Sequence, residues 1–212
     1  MKRVVAVVVG CLACGAASPH AVQIALDRRA VEEAIYIGQS RIESDRTRFH
    51  TPYRVRSVQP PIDWIDVITP FHRVELAAET NARRGGRMFS QEEAIAVMKD
   101  VVNQIDLLIE MSFHPLNTFV AVPLYQVQIT LPGNRRVEPK RIERFPRFGP
   151  RAESTGPALP GPQIGGGQTV VGGTMLAPLD GSAFDPNQRL EVVVLDGKTE
   201  LAKVAIDLAK MR

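Results

Sequence analysis

Residues 190–208, Leu190-Glu-Val-Val-Val-Leu-Asp-Gly-Lys-Thr-Glu-Leu-Ala-Lys-Val-Ala-Ile-Asp-Leu208, read as two β-strands joined by a tight turn. The first arm is a β-branched run from Leu190 to Leu195. In the second, Ala202, Val204, Ile206 and Leu208 alternate with polar positions such as Lys203, the period-two pattern of a strand with one buried face. Asp196-Gly197 between them is the favoured type I′ pair, whose two central residues take positive φ. A hairpin this apolar on one face needs a second β-layer to cover it. The rest of the chain is therefore read for strands that could supply that layer.

Working back from the hairpin, Thr169–Leu176 reads as a further strand despite its glycines. Residues 132–167 change character: seven prolines and seven glycines in 36 positions, with no sustained apolar period, predict a long irregular, basic excursion ending in a flexible tether. Phe145 and Phe148 are expected to pin its first half to the body. Before it, Tyr125, Val127, Ile129 and Leu131 alternate with polar residues in a strand over 119–131. The stretch 105–113 fits a helix or a strand. The strand is preferred, because the short segment 114–118 then closes a hairpin onto 119–131.

The N-terminal half is richer in helix signals. Ser90-Gln-Glu-Glu93 is a capping box before Ala94, Ile95 and Met98. Thr69-Pro70 and Arg83-Arg84-Gly85-Gly86 frame a helix over about 70–84. Asp27 caps a third helix through Val31, Ala34, Ile35, Gly38 and Ile42. Ile62–Ile68 reads as a strand. Phe49, Thr51, Tyr53 and Val55 alternate with Arg48, His50, Arg54 and Arg56, which predicts another strand, at an edge because of Pro52.

About seven strands and three helices before residue 104 make an α+β protein built on an antiparallel β-sandwich, by topological analogy immunoglobulin-like or transthyretin-like. Its expected organisation is an export signal at 1–21, a mixed α/β region at 22–131, the Pro/Gly-rich excursion at 132–167 and a C-terminal β region at 168–212 that completes the sandwich.

The export reading rests on Met1–Ala21: Lys2 and Arg3, then the apolar run Val4–Ala13, then small residues at Gly15-Ala-Ala17. The run is well short of the roughly 20 residues a membrane-crossing helix needs, so the mature chain is expected to have no transmembrane span. Val8-Val-Gly-Cys11 also resembles a lipobox, making a lipid anchor the alternative to cleavage near Ala17. Both cysteines, Cys11 and Cys14, fall within this segment, where Cys-x-x-Cys redox chemistry lacks the folded helix terminus it needs. Without Lys2 and Arg3 the 26 basic residues fall nearly level with the 23 acidic ones, so no nucleic-acid partner is implied.

Chemical motifs are sparse. His50, His72 and His114 show none of the close spacings typical of metal sites, and Glu110 and His114 on one strand stand too far apart to share an ion. No metal, cofactor or catalytic residue is therefore assigned. No Gly-x-Ser-x-Gly elbow is present, and Gly165–Gly167 and Gly172-Gly173 lack the lysine and helix of a phosphate loop. Asp63 and Asp66 beside Trp64 form a carboxylate pair that could act on carbohydrate. The remaining signal is basic. Arg48, Arg54 and Arg56 on the expected strand, with Arg135, Arg136, Lys140, Arg141, Arg144 and Arg147 in the excursion, could contact an anionic partner.

The leading reading is an exported, periplasmic or extracellular, non-enzymatic interaction or accessory module of the bacterial envelope or exterior. The alternatives are an exported hydrolase acting on carbohydrate and a small-ligand carrier. An apolar cavity near Trp64 would favour the carrier, converging carboxylates the hydrolase.

Overall fold

The computed structural model describes residues 21–114, 116–150 and 168–212. The export signal, apart from Ala21, and the expected tether from residue 151 onward lie outside the described residues.

The C-terminal hairpin forms as expected. β8 (Arg189–Asp196) pairs antiparallel with β9 (Thr199–Asp207), and Ala202, Val204, Ile206 and Leu208 are all buried. The turn differs in detail. Asp196 pairs with Thr199, so the central residues are Gly197 and Lys198, and only Gly197 has positive φ (58°), the sign pattern of a type II′ turn. β8 also pairs with β4 (Gln126–Leu131), which holds β5 (Arg135–Val137) at its other edge. This four-stranded sheet has the order β5-β4-β8-β9.

A five-stranded antiparallel sheet faces it, in the order β1-β2-β3-β7-β6, where β1 is Arg54–Arg56, β2 Ile62–Ile68, β3 Gln104–Ser112, β6 Glu143–Pro150 and β7 Gln168–Asp180. Ile65, Val67, Ile109 and Met175 from this sheet share one apolar core with Ile129, Val192, Val204 and Ile206 from the other. The chain is thus α+β, with two antiparallel sheets packed in a sandwich-like arrangement.

Two strand expectations are corrected. β3 is a strand, but it does not form a hairpin with residues 119–131; it pairs with β2 and β7, while β4 belongs to the other sheet. The segment between them crosses from one sheet to the other and buries Phe113, Val122 and Tyr125 on the way, which a short connection in a single sheet would not do. The first half of the excursion is not irregular either. β6 runs along the outer edge of β7 from Glu143 to Pro150. Phe145 and Phe148 are about half exposed there (51% and 52%), so they do not pin the segment as expected. An edge strand that leaves both faces partly wet carries no alternating signal, which is why its sequence reads as loop. Gly173 makes the pairing possible, because a Cβ there would press on the Phe145 carbonyl and the Val122 side chain.

Four helices form a second layer with its own small core of Ala30, Ala34, Ile35, Phe71, Val74 and Ala94. α1 (Arg28–Gly38) is capped by the Asp27 side chain on Ala30 N–H, α3 (Pro70–Arg83) by Thr69, and α4 (Gln91–Met98) by the Ser90–Glu93 capping box. α1 stops at Gly38 rather than reaching Ile42. At Gly38 it comes so close to α3 that a Cβ would collide with the Glu75 carbonyl and with Ala78.

The expected strand around residues 48–56 is the third correction. Residues 43–50 form a helix, α2 (Glu43–His50), followed by a 3-10 turn at Thr51–Tyr53, and only Arg54–Arg56 is extended. α2 buries none of its residues. Glu43 and Asp45 in its first turn and Arg48 and His50 in its last favour the helix dipole. Phe49, set edge-on or tilted against Tyr53, Phe71 and His72, anchors it to the body. The period-two alternation in this stretch is outweighed by that aromatic contact.

Candidate metal centre

The helix at Glu43–His50 creates the site. As the last residue of α2, His50 points towards α3, whose positions 72, 75 and 79 share one face at helical spacing. His50 Nδ1 lies 3.0 Å from His72 Nε2, and His50 Nε2 lies 3.1 Å from Glu79 Oε2 and 3.5 Å from Glu75 Oε1. One donor atom each from His50, His72 and Glu75 falls within 4.8 Å of the others.

Each member is held by a different device. Thr69 caps α3 and donates from its hydroxyl to the Arg212 carbonyl at 2.5 Å, fixing the turn that carries His72. His72 Nδ1 is 3.1 Å from the Val67 carbonyl. A carbonyl only accepts, so Nδ1 carries the proton and Nε2 presents its lone pair to His50. Burial keeps the ring neutral, lowering its pKa to about 3 against the weaker raising effect of the Val67 bond. Tyr53 stacks on it with ring centroids 4.0 Å apart. His50 thus lies between two acceptors, the His72 lone pair and the Glu79 carboxylate.

The two carboxylates are unlike. Glu79 accepts from Arg83 at 2.6 Å and from Arg46 at 3.0 Å. Burial opposes its ionisation, but the Arg83 hydrogen bond, with His50 and the Arg83 charge, leaves its pKa below the ordinary carboxylate value. Glu75 is fully buried, and neither of its oxygens has a hydrogen-bond partner among the described residues. Burial first, and then the charge of Glu79, push its pKa up to about 8. An unpartnered buried carboxyl is costly, and here it points at two imidazoles.

His50, His72 and Glu79 open onto a cleft of about 720 Å³, with Glu75 enclosed behind them. Arg54, Arg56 and Arg83 also line it. Arg54 is bidentate to Asp66 at 2.7 Å for both bonds and lies over the Trp64 ring. Arg56 makes no ion pair among the described residues.

The other basic positions do not gather here. Arg48 borders a separate pocket with Tyr36, Phe49 and Lys210. Arg135 donates to the Ala183 carbonyl, and Arg144 to the carbonyls of Pro123, Tyr125 and Ile142. Arg141 pairs with Glu143, and Arg147 with Glu110. Arg136 and Lys140 are exposed on and beside β5. Of the carboxylate pair, Asp66 is held by Arg54, while Asp63 accepts from Ser112. His114 lies apart from the cluster, its Nδ1 accepting from the Leu116 N–H of its own loop.

Glu75, Glu79, Arg46 and Arg83 were not singled out from sequence. A signal was present, since His72, Glu75 and Glu79 follow the i, i+3, i+7 spacing of one helix face and fall among the core residues Phe71, Val74 and Ala78. The partner His50, 22 positions away, is legible only in three dimensions. Compared with known proteins, the chain matches no family model, no curated protein and no solved structure.

Proposed function

We propose that this chain is an exported accessory module of the bacterial envelope or exterior whose helical layer binds one divalent transition-metal ion, of the zinc class, through His50 Nδ1, His72 Nε2 and the Glu75 carboxylate. The observation that carries the reading is the convergence of two imidazoles on a buried carboxylate that has no other partner.

Zinc sits about 2.0–2.1 Å from histidine nitrogen, which puts two ligands of a tetrahedral ion about 3.3 Å apart. His50 and His72 need open only slightly from 3.0 Å to receive it. The ion would take the lone pairs of the two rings and displace the proton that burial otherwise holds on Glu75. The surrounding bonds suit this role: His72 donates its other N–H to the Val67 carbonyl, and His50 donates to Glu79, the two second partners that metal-bound histidines usually have. Three protein ligands leave one position for a water or an outside ligand, on the side of the cleft.

Export is supported by the Lys-Arg, apolar and small-residue succession of Met1–Ala17. Among the described residues no helix is long and apolar enough to cross a membrane. An immunoglobulin-like or transthyretin-like scaffold, with the β8–β9 hairpin as its closing pair, completes the proposal. It would present the cleft to an anionic partner.

Titration calorimetry with Zn(II) on the purified protein tests the metal reading. One ion per chain is expected, with affinity at least 100-fold weaker in His72→Ala and in His50→Ala. Stoichiometric binding that survives both substitutions would sink it.

A further inference from the structure

The cleft in front of the histidines continues, past Ile68 and Leu76, into a second depression of about 720 Å³ between the flank of α3 and the outer face of the five-stranded sheet. Phe89, Val97, Leu108 and Leu176 line this second part, and the Arg73–Asp106 ion pair borders it. Ile68, Leu108 and Leu176 are half-buried residues on a sheet face that has no second sheet over it. The depression therefore has a polar end at the metal site and a largely apolar end beyond Leu76.

Charge at the polar end is unbalanced once an ion is bound. Glu79 offsets only one of its two arginines, Arg46 and Arg83. Asp66 offsets Arg54, and Arg56 has no acidic partner among the described residues. A dication on two neutral imidazoles and one carboxylate keeps one positive charge of its own. Counting Arg46, which reaches Glu79 from outside the cleft lining, the loaded site thus carries an excess of about three positive charges.

We infer that the open position of the metal centre takes an amphipathic oxyanion, a carboxylate or phosphate head on an aliphatic body, with the head between the ion and Arg56 and the body along the apolar depression past Leu76. This rests on the metal reading above. The excess charge selects an anion, and the asymmetric lining selects one with an apolar tail over a small ion.

The test uses the Co(II)-loaded protein, whose visible bands report directly on the ion's ligands. Acetate, octanoate and octyl phosphate are titrated separately. Octanoate is expected to shift the bands with an apparent affinity at least tenfold tighter than acetate, a gain that needs the burial of only about two methylenes. Octyl phosphate against octanoate shows which head the site prefers. Arg56→Ala should weaken all three anions by a similar factor. Leu76→Asn, which adds no charge, should reduce the advantage of octanoate over acetate.

If Co(II) binds at His50 and His72 but no anion alters its spectrum, or octanoate binds no better than acetate, the inference is overturned and the metal site stands. If Co(II) does not bind, the metal reading fails and takes the inference with it. The comparison of octanoate with acetate in the unaltered protein decides the matter even if Leu76→Asn fails to fold.

Discussion

The sandwich and the helical layer solve burial in opposite ways. Between the sheets, among the described residues, the strands bury large apolar side chains, from Ile65 and Ile109 to Ile129 and Ile206. The acidic residues they bury, Asp66, Asp106 and Glu110, are each paired with an arginine. The helical layer has a core of only six buried apolar residues, and beside it α3 buries His72, Glu75 and Glu79. Apolar burial stabilises without geometric conditions, whereas a buried carboxyl without a partner costs free energy unless something else supplies the missing interaction. The sandwich is where this chain gains its stability. The helical layer is where it gives some up to bury a carboxyl without a hydrogen-bond partner beside two imidazoles.

That contrast breaks first at Ile206, in β9. Ile206→Ala should cost about 2 to 5 kcal/mol in urea denaturation, as truncation of a buried aliphatic side chain does. It should leave Zn(II) affinity in the folded protein unchanged. His50→Ala should do the reverse, abolishing tight metal binding with a smaller change in the urea midpoint. If Ile206→Ala weakens metal binding as much as His50→Ala does, the two regions are not energetically separate.

The pH dependence of the metal-free protein sharpens the comparison. His72, lowered to about 3 from its ordinary 6.5, contributes stability that is present above 6.5 and lost as pH falls towards 3. Glu75, raised to about 8 from 4.5, contributes stability that is present below 4.5 and lost as pH rises through 8. The two oppose each other between 4.5 and 6.5, and above that range Glu75 acts alone. The urea midpoint should therefore fall between pH 6.5 and 8.5. Glu75→Leu should flatten this limb, and saturating Zn(II) should flatten it too, because a metal-bound carboxylate no longer needs a proton. A limb that persists unchanged in Glu75→Leu would show that the strain lies elsewhere.

The smallest effect belongs to Lys203, on the outer face of β9 and paired with Glu191 at 2.9 Å. Lys203→Ala should leave the urea midpoint within error of the parent, because exposed ion pairs add little. A clear loss would mean that the face opposite Ile206 is covered by a partner.

The chain's periodicities and caps were enough to place β2, β8 and β9, the second half of the strand expected over 119–131 and the starts of α1, α3 and α4, whereas β3 was expected as a strand on account of a hairpin that does not form. These signals are local, since a cap satisfies N–H groups three residues away and an alternating strand declares its buried face within eight residues. What was not legible depended on distant contacts. β6 is a strand because β7 lies beside it, and α2 is a helix because Phe49 reaches Tyr53, Phe71 and His72. Sheet membership of β3 and β4 likewise followed from which strands lie beside each, β2 and β7 or β5 and β8, and spacing along the chain does not encode that choice.

By itself the sequence determined an α+β chain, its C-terminal hairpin and a helix over about 70–84 that carries His72. Only the tertiary structure decided that His50 would meet that helix. The helix 43–50 has too little apolar surface to form by its own pattern, so its direction, and with it the third ligand of the candidate centre, is set by packing against α3.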